Sequence, residues 1–182
     1  MTSEGQQASP ALRTLIQDGT LAGSWTLDPA RSQVLLESRH TWGLLPVHGV
    51  FNQVTGSGTV TADGQVTGTL TVAAGSVETK NKSRDKDLRS DKIFDSTNHP
   101  DITYTVAGME PTSTGARVTG SLTVRGQTRP LSFGARVSAT AAEVQLDAEV
   151  AVNRADFGLT YSPLRMASLH NTIVIHAVFA RQ

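Results

Sequence analysis

The chain reads as an all-β protein, an antiparallel meander closed into a barrel, with one short charged helix in the 83–95 region and a helical extension at its N-terminus. Three observations carry that reading. From Ser24 onward the hydrophobicity alternates with a period of two. Short turn signals separate the alternating runs. Helix signals concentrate in residues 9–19 and in the run SRDKDLRSDKIFD at 83–95. At 182 residues the chain suits one domain able to bury a core. It divides into an extension, 1–22, and a barrel domain, 23–182.

The stretch SPALRTLIQDG carries the helix signals in order: Ser9 as N-cap, Pro10 in the first helical position, Gly19 as left-handed stop. Ala11, Leu12, Leu15 and Ile16 share a stripe, so the helix is expected to pack on the body of the protein. With one Arg and no Lys it lacks the basic face of a membrane-surface helix. Next comes a strand with Val34, Leu36, Ser38 and His40 on one face and Gln33, Leu35, Glu37 and Arg39 on the other. Further strands are expected near 48–62, 64–77, 102–110, 115–125, 129–140, 143–153 and 171–181. Turns at Ala62-Asp63-Gly64, Ser113-Thr114-Gly115 and Arg125-Gly126-Gln127 link several of them. Short links of this kind favour an antiparallel barrel.

One face of these strands is apolar throughout: Val66, Leu70, Val72; Val118, Leu122, Val124; Leu131, Phe133, Val137; Val144, Leu146, Val150, Val152. Gly68, Gly120, Ala135 and Ala148 are interspersed. Small residues there mean either room for a ligand or tight bends around a filled core, and spacing alone does not choose. Two segments are too long for hairpin loops, 78–100 and 153–170, and such loops tend to work or to cover something.

Lys plus Arg balance Asp plus Glu at 16 each, so no global field draws nucleic acid or an anionic membrane. The absence of cysteine excludes disulfides, thiolate metal sites and Cys nucleophiles. The opening MTSEGQQASPALRTLIQDG has no basic start followed by an apolar run, and no stretch reaches the roughly 20 apolar residues of a membrane span. A soluble, cytoplasmic protein without stable membrane insertion is the expectation. His40, His48, His99, His170 and His176 show no metal-ligand spacing. There is no phosphate loop and no G-x-S-x-G. Asp156-Phe157-Gly158 matches a kinase tripeptide without the rest of a kinase. The charged run admits a catalytic reading through Asp85, Asp87, Asp91 and Asp95. A structural reading explains more of it: a Ser83 cap, opposite charges three and four residues apart on a solvated helix, and Leu88, Ile93 and Phe94 on its buried side.

Several stretches together resemble the YceI-like family. Trp25 to Val34, W-T-L-D-P-x-R-S-x-V, looks like its I-D-P-x-H-S-x-V opening. His40 follows, then Val47-His48-Gly49-Val50-Phe51. Ser76-Val77-Glu78-Thr79 precedes Arg84-Asp85, Leu88-Arg89-Ser90, Phe94-Asp95 and Pro100. Val118 to Thr123 with Gly126 and Pro130, and finally Arg154 with Asp156-Phe157-Gly158, complete the series from Ser24 to the C-terminus. Arg31 and Asp87 replace two of the family's histidines, and Ile93 an aromatic. The helical extension lies outside the pattern.

The resemblance implies an eight-stranded lipocalin-like antiparallel barrel whose interior holds an isoprenoid lipid, of polyprenyl or isoprenoid-quinone type. It also implies a binding protein rather than an enzyme, with no other cofactor, in a family often dimeric. On that reading Val34, Leu36, Phe51, Leu70, Val72, Leu88, Leu122, Val124, Phe133, Phe94 and Phe157 line the tail pocket. His40, Arg84, Asp85, Arg89 and Asp156 offer polar contacts or brace the mouth, with salt bridging among the charged four as the alternative. A barrel filled by side chains and used as an interaction or stress module is the rival reading.

Overall fold

The computed structural model describes residues 8–40 and 44–182, with side chains from Ala11 onward and without that of His40. Helix α1 (Ala8–Gln17) leads into strands β1 (Gly23–Leu27), β2 (Gln33–His40), β3 (Leu45–Phe51), β4 (Val54–Val60), β5 (Val66–Ala73) and β6 (Val77–Glu78). Helix α2 (Lys82–Arg89) follows, then β7 (Asp101–Thr112), β8 (Gly115–Val124), β9 (Gln127–Ala139), β10 (Glu143–Asn153) and β11 (His170–Arg181). Strands β1, β4, β5, β7, β8, β9, β10 and β11 pair in that order, and β11 pairs back to β1. The result is the expected closed, eight-stranded antiparallel barrel.

Three of its staves are broken at one level. The strands expected at 48–62 and 64–77 are each interrupted, at Asn52-Gln53 and at Ala74–Ser76, and β1 parts from β2 over 28–32. Beyond the breaks, β2, β3 and β6 continue as a separate wing joined to β11. The D-P-x-R-S stretch builds the first break. Val178 of β11 donates to Ser32 Oγ at 3.0 Å and accepts from Asp28 N at 2.8 Å, just where β11 changes partner from β2 to β1. Arg31 closes the corner with a two-pronged pair to Glu143 at 2.6 and 3.1 Å. The other breaks satisfy each other: Asn52 N donates to Ser76 O and Gln53 N to Ser76 Oγ. Like β-bulges, such breaks re-aim a strand without leaving its backbone unpaired.

The β7–β8 hairpin and α1 mark the lower end; the β8–β9 hairpin, α2 and the 154–169 segment mark the upper. The upper hairpin turns through Arg125 and Gly126, both at positive φ (48° and 73°), the mirror-image turn that suits strand twist. At the lower end α1 packs through Leu12, buried, and Leu15 and Ile16, half-buried, whereas Ala11 of the expected stripe is exposed. It opens at Ala8, before the expected Ser9 cap, within the usual uncertainty of a frayed helix start. Gly19 at φ 77° ends it. Arg13 donates to Pro111 O, Trp25 Nε1 to Leu21 O, and Arg181 to Ala22 O while its guanidinium stacks 4.6 Å over Trp25. The floor of the barrel is therefore fastened to both termini.

Candidate functional site

The upper half of the barrel encloses a cavity of about 430 Å³. Every apolar residue nominated for it from sequence lines it: Val34, Leu36, Phe51, Leu70, Val72, Leu88, Phe94, Leu122, Val124, Phe133 and Phe157. The wall opens here because β9 and β10 pair only near their lower ends, from Val144↔Ala139 to Asp147↔Arg136. Above that register the strands part. The segment after β10 supplies Phe157, Leu159 and Tyr161 to the lining.

The cavity's lower limit is a waist of Leu70, Tyr104, Phe133 and Ile175, which also line a second, smaller cavity of about 120 Å³ above α1. Tyr104 is fixed in that waist. Its hydroxyl donates to Leu131 O at 2.7 Å, and its ring meets Phe133 at 5.3 Å between centroids. A Cβ on Gly120 would lie 2.8 Å from the Tyr104 oxygen and 2.1 Å from Thr105 O. Burial pushes the Tyr104 phenol up to about 12, keeping it neutral. Ile102, Tyr104 and Val106 share a strand face, so alternation could have nominated Tyr104.

The mouth is polar. Thr79, Asn81, Ser83, Arg84 and Asp87 line it from one side, and Arg39, Arg154 and Asn171 from others. The charged run divides its labour differently from the mutual pairing expected of it. Asp85 is buried and accepts from Thr79 N at 2.8 Å and Thr79 Oγ1 at 2.6 Å, tying α2 to the end of β6. Arg89 donates to Val77 O at 2.6 Å. Neither lines the cavity; both are braces. Among the described residues the one charge pair within the run is Asp87–Lys92, at 3.6 Å. The side chains prefer backbone carbonyls and amides because those are buried beside them, whereas opposite charges in water gain little from meeting. The cap is Asn81, whose side chain accepts from Arg84 N at 3.0 Å, not Ser83. Asn81 is the residue with the extended backbone a cap requires.

Arg154 was legible only as part of R-x-D-F-G. It is the clasp of the upper segment: Nε donates to Ser168 O, Nη1 to Leu159 O and Tyr161 O, and Nη2 to Ala167 O. Burial lowers its pKa. Asp156, expected at the mouth, is exposed and does not line the cavity, because the 3₁₀ turn Arg154–Phe157 spends its inward position on Phe157. Arg39, read on the outer strand face, reaches the lining from the end of β2, where a long stem can bend over the rim. The side chain of His40 lies outside the described residues.

Among the described residues no helix is long and apolar enough to cross a membrane. A curated relative, the UPF0312 protein PC1_2518 of Pectobacterium carotovorum, is 34% identical over 68 residues, which are 37% of this chain and 35% of that protein. The chain thus spans about a third of the length of the curated relatives it matches. Among solved structures, BcnA of Burkholderia cenocepacia superposes with a TM-score of 0.75 at 20% identity, covering 84% of this chain and 98% of its own. A polyisoprenoid-binding domain from Saccharophagus degradans, described as implicated in plant cell wall breakdown, gives 0.70 at 17% identity, covering 87% of this chain and 98% of its own. At these identities the likeness is one of fold. The family model described as the YceI-like domain matches residues 25–180, and the chain belongs to that family.

Proposed function

We propose that the upper cavity binds the hydrophobic tail of an isoprenoid lipid, a polyprenyl or isoprenoid-quinone molecule, for storage, transport or sequestration. One observation carries the reading: an apolar cavity of about 430 Å³ left open between a tyrosine–phenylalanine waist and a polar mouth. The volume falls in the range of about 300–1,000 Å³ usual for small-molecule sites. Each Å² of prenyl surface buried there contributes about 25 cal/mol before binding costs. Arg84, half-buried on α2 at the mouth, stands where a polar head would lie. The neighbour described as polyisoprenoid-binding supports the same ligand class. The cavity speaks against a side-chain-filled interaction module, and the reading is one of binding rather than catalysis.

The test is to extract purified protein with organic solvent and analyse the extract by mass spectrometry. A prenyl lipid in near-equimolar amount is the expected result. An extract without prenyl lipid, from protein that also takes up none when a polyprenol is offered, would overturn the reading.

A further inference from the structure

The large apolar residues that stay exposed are not scattered. Among the described residues they are Leu44, Leu45, Tyr161, Leu164 and Leu169, and all five sit at the upper end. Leu44 and Leu45 form one side of the β2–β3 tip; the other three lie in the segment that Arg154 clasps. The two segments touch: Ser168 N donates to Arg39 O at 2.9 Å, and Leu45 pairs with His40 at the start of β3. Together they form a single apolar rim, continuous with the cavity mouth, to which Arg39, Tyr161 and Pro163 also contribute.

Two further features set this rim apart. Leu164 is 79% exposed and sits at φ 54°, ψ 20°, followed by Arg165 at φ 54°. Non-glycine residues in the left-handed region are held there against a local cost, and such sites cluster where function requires a particular display. Here the display is a leucine turned to solvent, which water does not favour. The second feature is charge. Arg165 directly follows Leu164, and residues 158–170 contain no Asp or Glu, in a chain that is neutral overall. Exposed leucines with a cation directly beside them, Arg165 after Leu164, complement a surface that is apolar beneath and anionic on top.

We propose that this rim docks on an anionic lipid bilayer and seats the cavity mouth against it. Leu44, Leu45 and Leu164 enter the interfacial layer, and Arg165 meets the head groups. The docking stands on the rim alone; its purpose, passage of a prenyl lipid between bilayer and cavity, rests on the function proposed above. Partition is peripheral, through two loops rather than a spanning element.

Vesicle flotation tests the proposal, with full-length protein freed of lipid by solvent-compatible extraction and refolding or by detergent exchange. Vesicles of phosphatidylcholine alone are compared with vesicles that also contain phosphatidylglycerol. The wild type is expected to float with the anionic vesicles. Leu44→Ser with Leu164→Ser should weaken partition about tenfold or more, as lost burial of two leucines requires. Arg165→Glu should remove the preference for phosphatidylglycerol. These positions are exposed, so circular dichroism should show an unchanged fold. Wild type that stays with the unbound fraction, or serine variants that float equally well, would overturn the proposal. So would wild-type self-association that the serine substitutions abolish while vesicles are ignored, since the rim would then be covered by a second copy. A cavity without prenyl lipid leaves the flotation result unchanged, so the two proposals fail separately.

Discussion

The two halves of the barrel use the same alternation and enclose voids of very different size, about 120 Å³ below the waist and about 430 Å³ above it. In the lower half Val118, at 1% exposure, and Val137, at 2%, border a cavity of only about 120 Å³, with Trp25, Leu12 and Leu21 at its floor. In the upper half a larger cavity of about 430 Å³ leaves Leu36, Leu131, Val152 and Ile173 half-buried among buried neighbours such as Val34, Val72, Leu122 and Val150. What differs is closure: α1 covers the lower end, while above it β9 and β10 part and three staves break outward. Stability can then be concentrated in one half, which frees the other to keep an unfilled apolar space at tolerable cost.

The largest expected effect lies at the floor. Trp25→Ala removes the ring that Leu21 O and Arg181 both hold, and should lower unfolding free energy by about 4 kcal/mol in urea titration. Arg154→Ala should come next, at about 3 kcal/mol, since four carbonyls lose a charged donor. Proteolysis should then cut first within 158–169. Ile173→Ala sharpens the contrast: it truncates a residue facing the void, so it should cost only about 2 kcal/mol of stability, the low end for such a truncation. The same change should weaken prenyl-lipid binding several-fold in a direct titration. If Ile173→Ala proved as destabilising as Trp25→Ala, the division of labour between the halves would be wrong.

Tyr104→Phe is the smallest effect, about 1 kcal/mol at neutral pH for the lost bond to Leu131 O. Its pH dependence carries a sign. The folded phenol titrates at about 12, above its ordinary value of about 10. The raised value stabilises the fold fully below pH of about 10, and the contribution is lost as pH climbs towards 12. The advantage of wild type over Tyr104→Phe should therefore shrink across that window. A constant difference in paired denaturation curves would mean that Tyr104 is solvated.

Much of this was legible in the sequence because period-two alternation survives any closure of the sheet. Each inward-facing valine, leucine and phenylalanine named from alternation lines one of the two cavities. The meaning of the small residues was not legible. Gly120 makes way for the Tyr104 ring and Gly115, at φ 153°, for the Ala135 carbonyl. They serve close approach, and the room for a ligand comes from diverging strands, a property of register that no single strand displays. The charges misled for a related reason. Asp85 and Arg89 stand four apart, yet each finds a buried backbone partner from β6 or its end, and such partners are invisible until the chain has folded back.

The most direct test of the central claim is a titration of a polyprenol such as geranylgeraniol into lipid-free wild type and into Ile173→Trp. That variant keeps the floor, the braces and the rim, and puts an indole into the upper cavity. Saturable one-to-one binding by wild type, weakened at least tenfold in the obstructed variant at unchanged fold, is the predicted result. Equal binding by the two proteins would place the ligand elsewhere and contradict the account.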